Sequence, residues 1–198
     1  PTATATAAIV RQRSPKLAPS PHGSGRWHGK PAAPIGELGR HTNWSVPEQW
    51  GHELLQVRIS AARDNSGVRI TFRPPGRAFK AWEDQAIVTA PCPVQLASNQ
   101  VVMADVHSHL DGGARVALAL SGTGTVPYIE TAPVFIRPGL NRDVAFDLSR
   151  ETFRTAASDW KATAAMPADF VPDRVFLVLF PQQGNGRVDI SNLRVVTP

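Results

Sequence analysis

The second half of the chain is written in short runs in which apolar and other residues alternate, RVALALS, DVAFDLS, RVFLVLF and VDISNLRVV, broken by Gly, Pro and Asn. A period of two places alternate side chains on opposite faces of an extended strand, so each run has one face to bury and one to leave outside. Runs of about six residues with a turn every ten or so are the pattern of an antiparallel β-sandwich, here of jelly-roll type. Expected strands are ELLQVRIS (53–60), GVRITF (67–72), QAIVTA (85–90), QVVMADVHSHL (100–110), RVALALS (115–121) and VPYIET (126–131). They continue with VFIR (134–137), DVAFDL (143–148), WKATAA (160–165), RVFLVLF (174–180) and RVDISNLRVV (187–196). A single short helix or turn is expected over 149–157, with Ser149 as its cap.

Alternation also assigns faces. In 101–110 it sends Val102, Ala104, Val106 and Leu110 inward and leaves Met103, Asp105, His107 and His109 outside; in 115–121 it buries Val116, Leu118 and Leu120 and leaves Arg115, Ala117, Ala119 and Ser121 out. Small outward residues beside polar ones point to a shallow trough. RVFLVLF is apolar in both phases, so Phe176 and Phe180 call for a cover, such as the N-terminal arm or a neighbouring domain. In the last run Val188 and Ile190 are in phase while Leu193 and Val195 have switched, which a bulge at Ser191-Asn192 explains.

Residues 1–41 differ from the rest. They hold Pro15, Pro19, Pro21, Pro31 and Pro34 among Gly, Ser and Ala without periodicity, which reads as an extended arm ahead of a sandwich domain at 42–198. Six Lys or Arg against Glu37 in the first 40 residues account for the whole net charge of +5, and the remaining 15 basic and 15 acidic residues balance. Because the excess sits on the arm and not on a folded face, nucleic acid is not the expected partner. Trp27 is out of place in a free linker, so part of the arm is expected to lie against the sandwich. Cys92 is the single cysteine, which excludes an internal disulfide, and no apolar run approaches the roughly 20 residues of a membrane-spanning helix. The start PTATATAA, small-residue and without Met, carries the expectation of a processed, exported protein or an excised fragment.

The segments YIETAPVFIRPGLNRDVAFDLSRETF, SDWKATA and GRVDISNLRVV, in that order, resemble the galactose-binding-like jelly-roll modules attached to bacterial polysaccharide-degrading enzymes, often grouped as carbohydrate-binding modules. The resemblance spans residues 44–198. It implies sugar binding in service of a catalytic domain, and a secreted, periplasmic or cell-surface setting. It also implies a structural calcium whose ligands include the Asp of a closing Asp-Asn pair. Here that place reads Ser191-Asn192, and serine is a poor substitute for a carboxylate among oxygen ligands, so no cofactor is expected.

Sugar recognition needs aromatic faces for C–H patches and a few polar groups for hydroxyls. Trp82 and Trp160, with Glu83, Asp84, Asp159 and Lys161 beside them, are the expected stacking pair among Trp44, Trp50, Trp82 and Trp160, which flank strands. Asp105, His107 and His109, two residues apart, project together from one strand and are expected to hydrogen-bond the ligand, joined by Glu130 and Arg137. The expected surface is one ledge holding all seven residues. Two alternatives stand beside it: a structural module bracing a catalytic domain, or a lyase, hydrolase or metal-dependent enzyme using His107 and His109. No catalytic or metal-binding residue is assigned, because no i, i+2 carboxylate pair, G-x-S-x-G elbow or Gly-rich phosphate loop is present and VPYIET does not match the lyase pattern.

Overall fold

The computed structural model describes Trp27 and residues 30–48, 55–63 and 66–197. The strands among them are β1 (Ala32–Pro34), β2 (Gln56–Ala61), β3 (Gly67–Arg73), β4 (Ala86–Pro91), β5 (Val101–Ser108), β6 (Ala114–Thr123), β7 (Tyr128–Thr131), β8 (Val134–Ile136), β9 (Gly139–Asp147), β10 (Phe153–Arg154), β11 (Val171–Pro181) and β12 (Gly186–Val196). The first sheet runs β2-β3-β12-β5-β9 with β1 beside β12, and the second β10-β7-β6-β11-β4 with β8 beside β6; every pairing is antiparallel. Two such sheets face to face form an all-β, jelly-roll sandwich.

The core lies where alternation sends it. Val102, Ala104, Val106 and Leu110 meet Val116, Leu118 and Leu120 from β6, Val175, Leu177 and Leu179 from β11, and Val188 and Ile190 from β12. Each fully buried Val, Leu or Ile contributes roughly 1.5–3 kcal/mol. The bulge expected at Ser191-Asn192 is present: the β12–β5 register shifts between Ser191 and Arg194, Asn192 takes φ 53°, and Leu193 turns into the core. A second shift, between Ala104 and Val106 in the β5–β9 pairing, brings Asp143 to φ 56°.

Four expectations are corrected. The boundary after residue 41 falls inside the packed fold, because β1 adds a strand to β12, and Ile35, Leu38 and Trp44 are buried in the core. Short 3-10 turns at Gly36–Gly39 and His41–Asn43 carry the chain there. Only three residues are in β1, enough to satisfy one edge of β12 without needing an alternating pattern. Residues 1–26 of the expected arm, and Trp50, lie outside the described residues.

Trp27 does dock, but on the first sheet: it is buried with Val101, Met103, Ala145 and Val196, so Met103 is outward yet covered. Phe176 and Phe180 are covered by side chains of their own sheet, Tyr128 at 5.9 Å from Phe176 and the Arg154 guanidinium 5.5 Å from the Phe180 ring. The run 160–165 is not a strand: Trp160 is left-handed and Ala164 makes one isolated bridge to Phe153. In place of a helix over 149–157, the segment contains β10 and then a 3-10 turn at Ala156–Ser158, capped by Thr155 instead of Ser149.

Candidate functional site

The outward side chains of the second sheet form a grid fixed by strand register. One row reads Arg154, Glu130, Ala119, Phe176, Thr89 across β10, β7, β6, β11 and β4; towards one end Phe135, Arg115 and Phe180 form another, and towards the other Tyr128, Ser121 and Arg174. The six residue steps along β6 from Arg115 to Ser121 make the grid about 20 Å long. Ala117 and Ala119 lie at its floor with no exposed surface, so the trough expected there is filled by the larger neighbours that lean over them.

Each end of the grid carries one of the two predicted stacking residues. Asp84, buried, accepts from Arg77 at 2.7 and 3.0 Å and from the Lys80 N–H at 3.0 Å, closing the loop before β4. The Arg77 guanidinium holds the Asp84 carboxyl below the usual carboxylate range. That loop places Trp82 at φ 66°, its N–H on the Pro181 carbonyl at 3.1 Å and its ring under the Arg115 guanidinium at 4.9 Å. At the other end, Thr155 and Ser158 form a reciprocal capping box, and Asp159 and Trp160 follow at φ 53° and 57°. Trp160 is left 52% exposed, with Tyr128 edge-on at 6.1 Å. A bulky residue at positive φ costs about 1–2 kcal/mol. Both tryptophans are held in that state.

Between them lies an ionic centre. Glu130, 5% exposed, pairs with Arg154 and accepts from the Tyr128 hydroxyl at 3.1 Å. Burial pushes the Tyr128 phenol up, keeping it a donor, and burial lowers Arg154, whose Nε is enclosed without an acceptor.

The other predicted residues do not share this face. His107 and His109 stand on the outer side of the first sheet, rings stacked with centroids 4.3 Å apart. His109 bridges Asp189 through Nε2 at 3.3 Å and Arg187 through Nδ1 at 3.0 Å. Since Arg187 only donates, His109 is the neutral Nε2–H tautomer. Asp105 belongs to the bulges: it accepts from the Asp143 N–H at 3.0 Å and the Asn192 amide at 3.2 Å, with Arg194 at 3.7 Å. Arg137 follows β8 and is exposed; its N–H donates to Asn141 Oδ1 at 2.9 Å. The seven residues therefore divide: Trp82, Trp160 and Glu130 occupy the outer face of one sheet, Asp105, His107 and His109 that of the other, and Arg137 a connecting loop.

Calcium does not fit at Ser191-Asn192. The carboxylates beside the bulge, Asp105 and Asp143, both face the Arg194 guanidinium, and Asn192 turns its donor towards Asp105. Among the described residues no three His, Cys, Asp or Glu side chains gather as a metal site.

Arg115, Arg154 and Tyr128 complete the aromatic face but were not among the candidates. Alternation already sends Arg115 outward beside Ala117. Arg154 had no readable signal, because it lies in a two-residue strand within a segment that reads as a helix or turn.

No protein-family model matches the sequence, and comparison with curated proteins gave no match. Among solved structures the chain is similar to a family 11 carbohydrate-binding module of a cellulosomal cellulase of Clostridium thermocellum, at 11% identity and TM-score 0.55, covering 85% of this chain and 96% of that one. The solution structure of a family 11 module gives 12% identity and TM-score 0.57, covering 86% and 98%. A module of family 28, specific for non-crystalline cellulose, gives 13% and 0.53, covering 83% and 94%. The fold of this chain is thus the jelly roll of carbohydrate-binding modules.

Proposed function

We propose that the chain is a non-catalytic module that binds a polysaccharide along the outer face of β10-β7-β6-β11-β4. The observation that carries the reading is the pair of tryptophans, Trp82 and Trp160, held at positive φ at opposite ends of one sheet face by the Arg77–Asp84 clamp and the Thr155–Ser158 capping box. Strain at surface aromatics persists where the surroundings enforce it, and such positions concentrate at ligand sites. A sugar chain laid between them would stack C–H faces on the indoles and meet Arg115, Arg154, Glu130 and the Tyr128 hydroxyl with its own hydroxyls.

A neutral β-glucan is the ligand class favoured. One structural neighbour of the same fold was solved with a β-1,3-1,4-mixed-linked tetrasaccharide. Retaining hydrolysis would need a second carboxylate about 5 Å from the first. The cross-strand neighbours of Glu130 are Ala119 and Arg154, and its charge is committed to the latter. Binding without turnover suits a module serving a polysaccharide-degrading enzyme outside the cell. The bracing alternative required Phe176 and Phe180 under a partner and every Trp buried, whereas Trp160 is exposed and both Phe rings are covered internally.

Affinity electrophoresis in gels containing soluble β-glucans tests this. The protein should be retarded by at least one, and Trp160→Ala should lose the retardation. Free migration through every glucan would remove the proposal.

A further inference from the structure

The outer face of the first sheet is chemically unlike the aromatic one. Across β2, β3 and β12 its outward positions include Arg58, Arg69, Arg73, Arg187 and Asp189. Arg63, just after β2, His107 near the end of β5 and His109 just after it close one end around a depression of about 530 Å³. Among the described residues the charge there is unbalanced. Asp189 is the acidic group that these residues contribute to the lining, and it takes both arms of Arg69, at 2.7 and 2.9 Å. Burial pushes the Asp189 carboxyl up, but the hydrogen bonds from Arg69 and His109 outweigh it and hold it below the usual carboxylate range, so it stays ionised.

Three cationic or donor groups are left over. Arg187 donates to the neutral His109 and has no carboxylate partner among the described residues. Arg63 is exposed and has no ion pair among the described residues, and the His107 side chain, stacked on His109, has no hydrogen bond or ion pair there. An oxyanion in the depression would supply the anionic partner that these groups lack, through charge-assisted bonds about twice as strong as neutral ones.

We propose that this depression is a second binding site, for the carboxylate or sulfate ester of an acidic polysaccharide, with Arg63, Arg187 and His107 as its ligands. The choice of a sugar to carry the anion rests on the reading of the module as a glycan binder. A depression of this volume accepts a group of monosaccharide size. Nucleic-acid strands are held by aromatic platforms as well as charge, and here the stripe offers imidazoles alone. With the aromatic face on the opposite sheet, the module has one side for a neutral polymer and a basic side for an acidic one, and so would bridge two polymers.

The test is affinity electrophoresis and titration of the whole chain against polygalacturonate, dextran sulfate, hydroxyethylcellulose and duplex DNA. The wild type should bind one or both acidic polymers, and polygalacturonate against dextran sulfate identifies the anion. Arg63→Ala/Arg187→Ala should weaken that binding fivefold or more, and His107→Gln by a smaller factor, while Trp160→Ala leaves it unchanged. Arg63→Ala alone, at an exposed side chain, keeps the test valid if the double variant does not fold. No binding to either acidic polymer, unchanged binding in the Arg63 and Arg187 variants, or equal affinity for duplex DNA would overturn the site. Loss of hydroxyethylcellulose binding alone would count against the aromatic face and leave this site standing.

Discussion

Trp160 meets Tyr128 edge-on at 6.1 Å, and Tyr128 meets Phe176 edge-on at 5.9 Å, so a half-exposed indole is continuous with the covered outer layer of the second sheet. The exposed end of this chain of rings is free to change without opening the core. Trp160→Gly should therefore reduce affinity for the bound glucan by about 1–2 kcal/mol, roughly 5- to 30-fold, while changing stability by no more than about 1 kcal/mol. Relief of positive φ offsets the lost packing. Paired titration calorimetry and thermal melts measure both; a large fall in Tm with intact binding would reverse the assignment.

Asp84 acts on the other indole from a distance. Asp84→Asn keeps the shape of the loop but removes the charge that Arg77 grips, and should lower stability by about 2 kcal/mol and weaken glucan binding together. The pH dependence follows from the direction of its shift. A carboxyl whose folded value is depressed stabilises the fold above its unfolded value, near pH 4, and loses that contribution as pH falls further. Wild-type stability should thus drop more steeply below about pH 4 than that of Asp84→Asn, as denaturant midpoints across pH 2–6 would reveal.

Glu130→Gln leaves Arg154 half-buried, with an Nε that already has no acceptor and now without its counter-ion. A cost of about 3 kcal/mol is expected. Replacing both partners with apolar residues, Glu130→Leu with Arg154→Met, should recover much of it, since Phe180 lies beneath the guanidinium. A urea-denaturation double-mutant cycle gives the coupling directly, and additive effects would contradict it.

Asp105 should matter for folding and not for sugar. Its carboxylate is bonded to the Asp143 N–H and the Asn192 amide, both residues at positive φ. Asp105→Ala is expected to cost about 2–3 kcal/mol and to leave glucan affinity unchanged. Asn192→Gly gives up the amide bond to Asp105 but relieves the positive φ, so the two effects should largely offset each other. Chemical denaturation combined with a binding titration separates the two outcomes.

Strand identity was legible because these strands each bury one face: the inward sets of β5 and β6 follow from alternation alone, and so does the bulge, since Leu193 and Val195 are out of phase with Val188 and Ile190. The candidate surface was legible in its members but not in its grouping. Alternation says that His107 and Trp82 leave the interior; it does not say by which side, because β5 and the loop before β4 belong to different sheets. Trp160 was placed on a strand because positive φ leaves no mark in a sequence. That Trp27 docks was legible from a large aromatic in a Pro-rich arm, but not on which sheet; three residues of β1 and two of β10 had no period to read, being too short to complete one.

The sequence by itself determined that the chain folds as antiparallel strands with defined inner and outer faces, since the period of two is a local property of each run. Which outer faces coincide was decided by the tertiary structure alone. Strand order and register are set by long-range pairing: β12 inserts between β3 and β5 and gathers Arg69, Asp189 and His107 on one side, while β11 inserts between β6 and β4 and leaves the two indoles on the other.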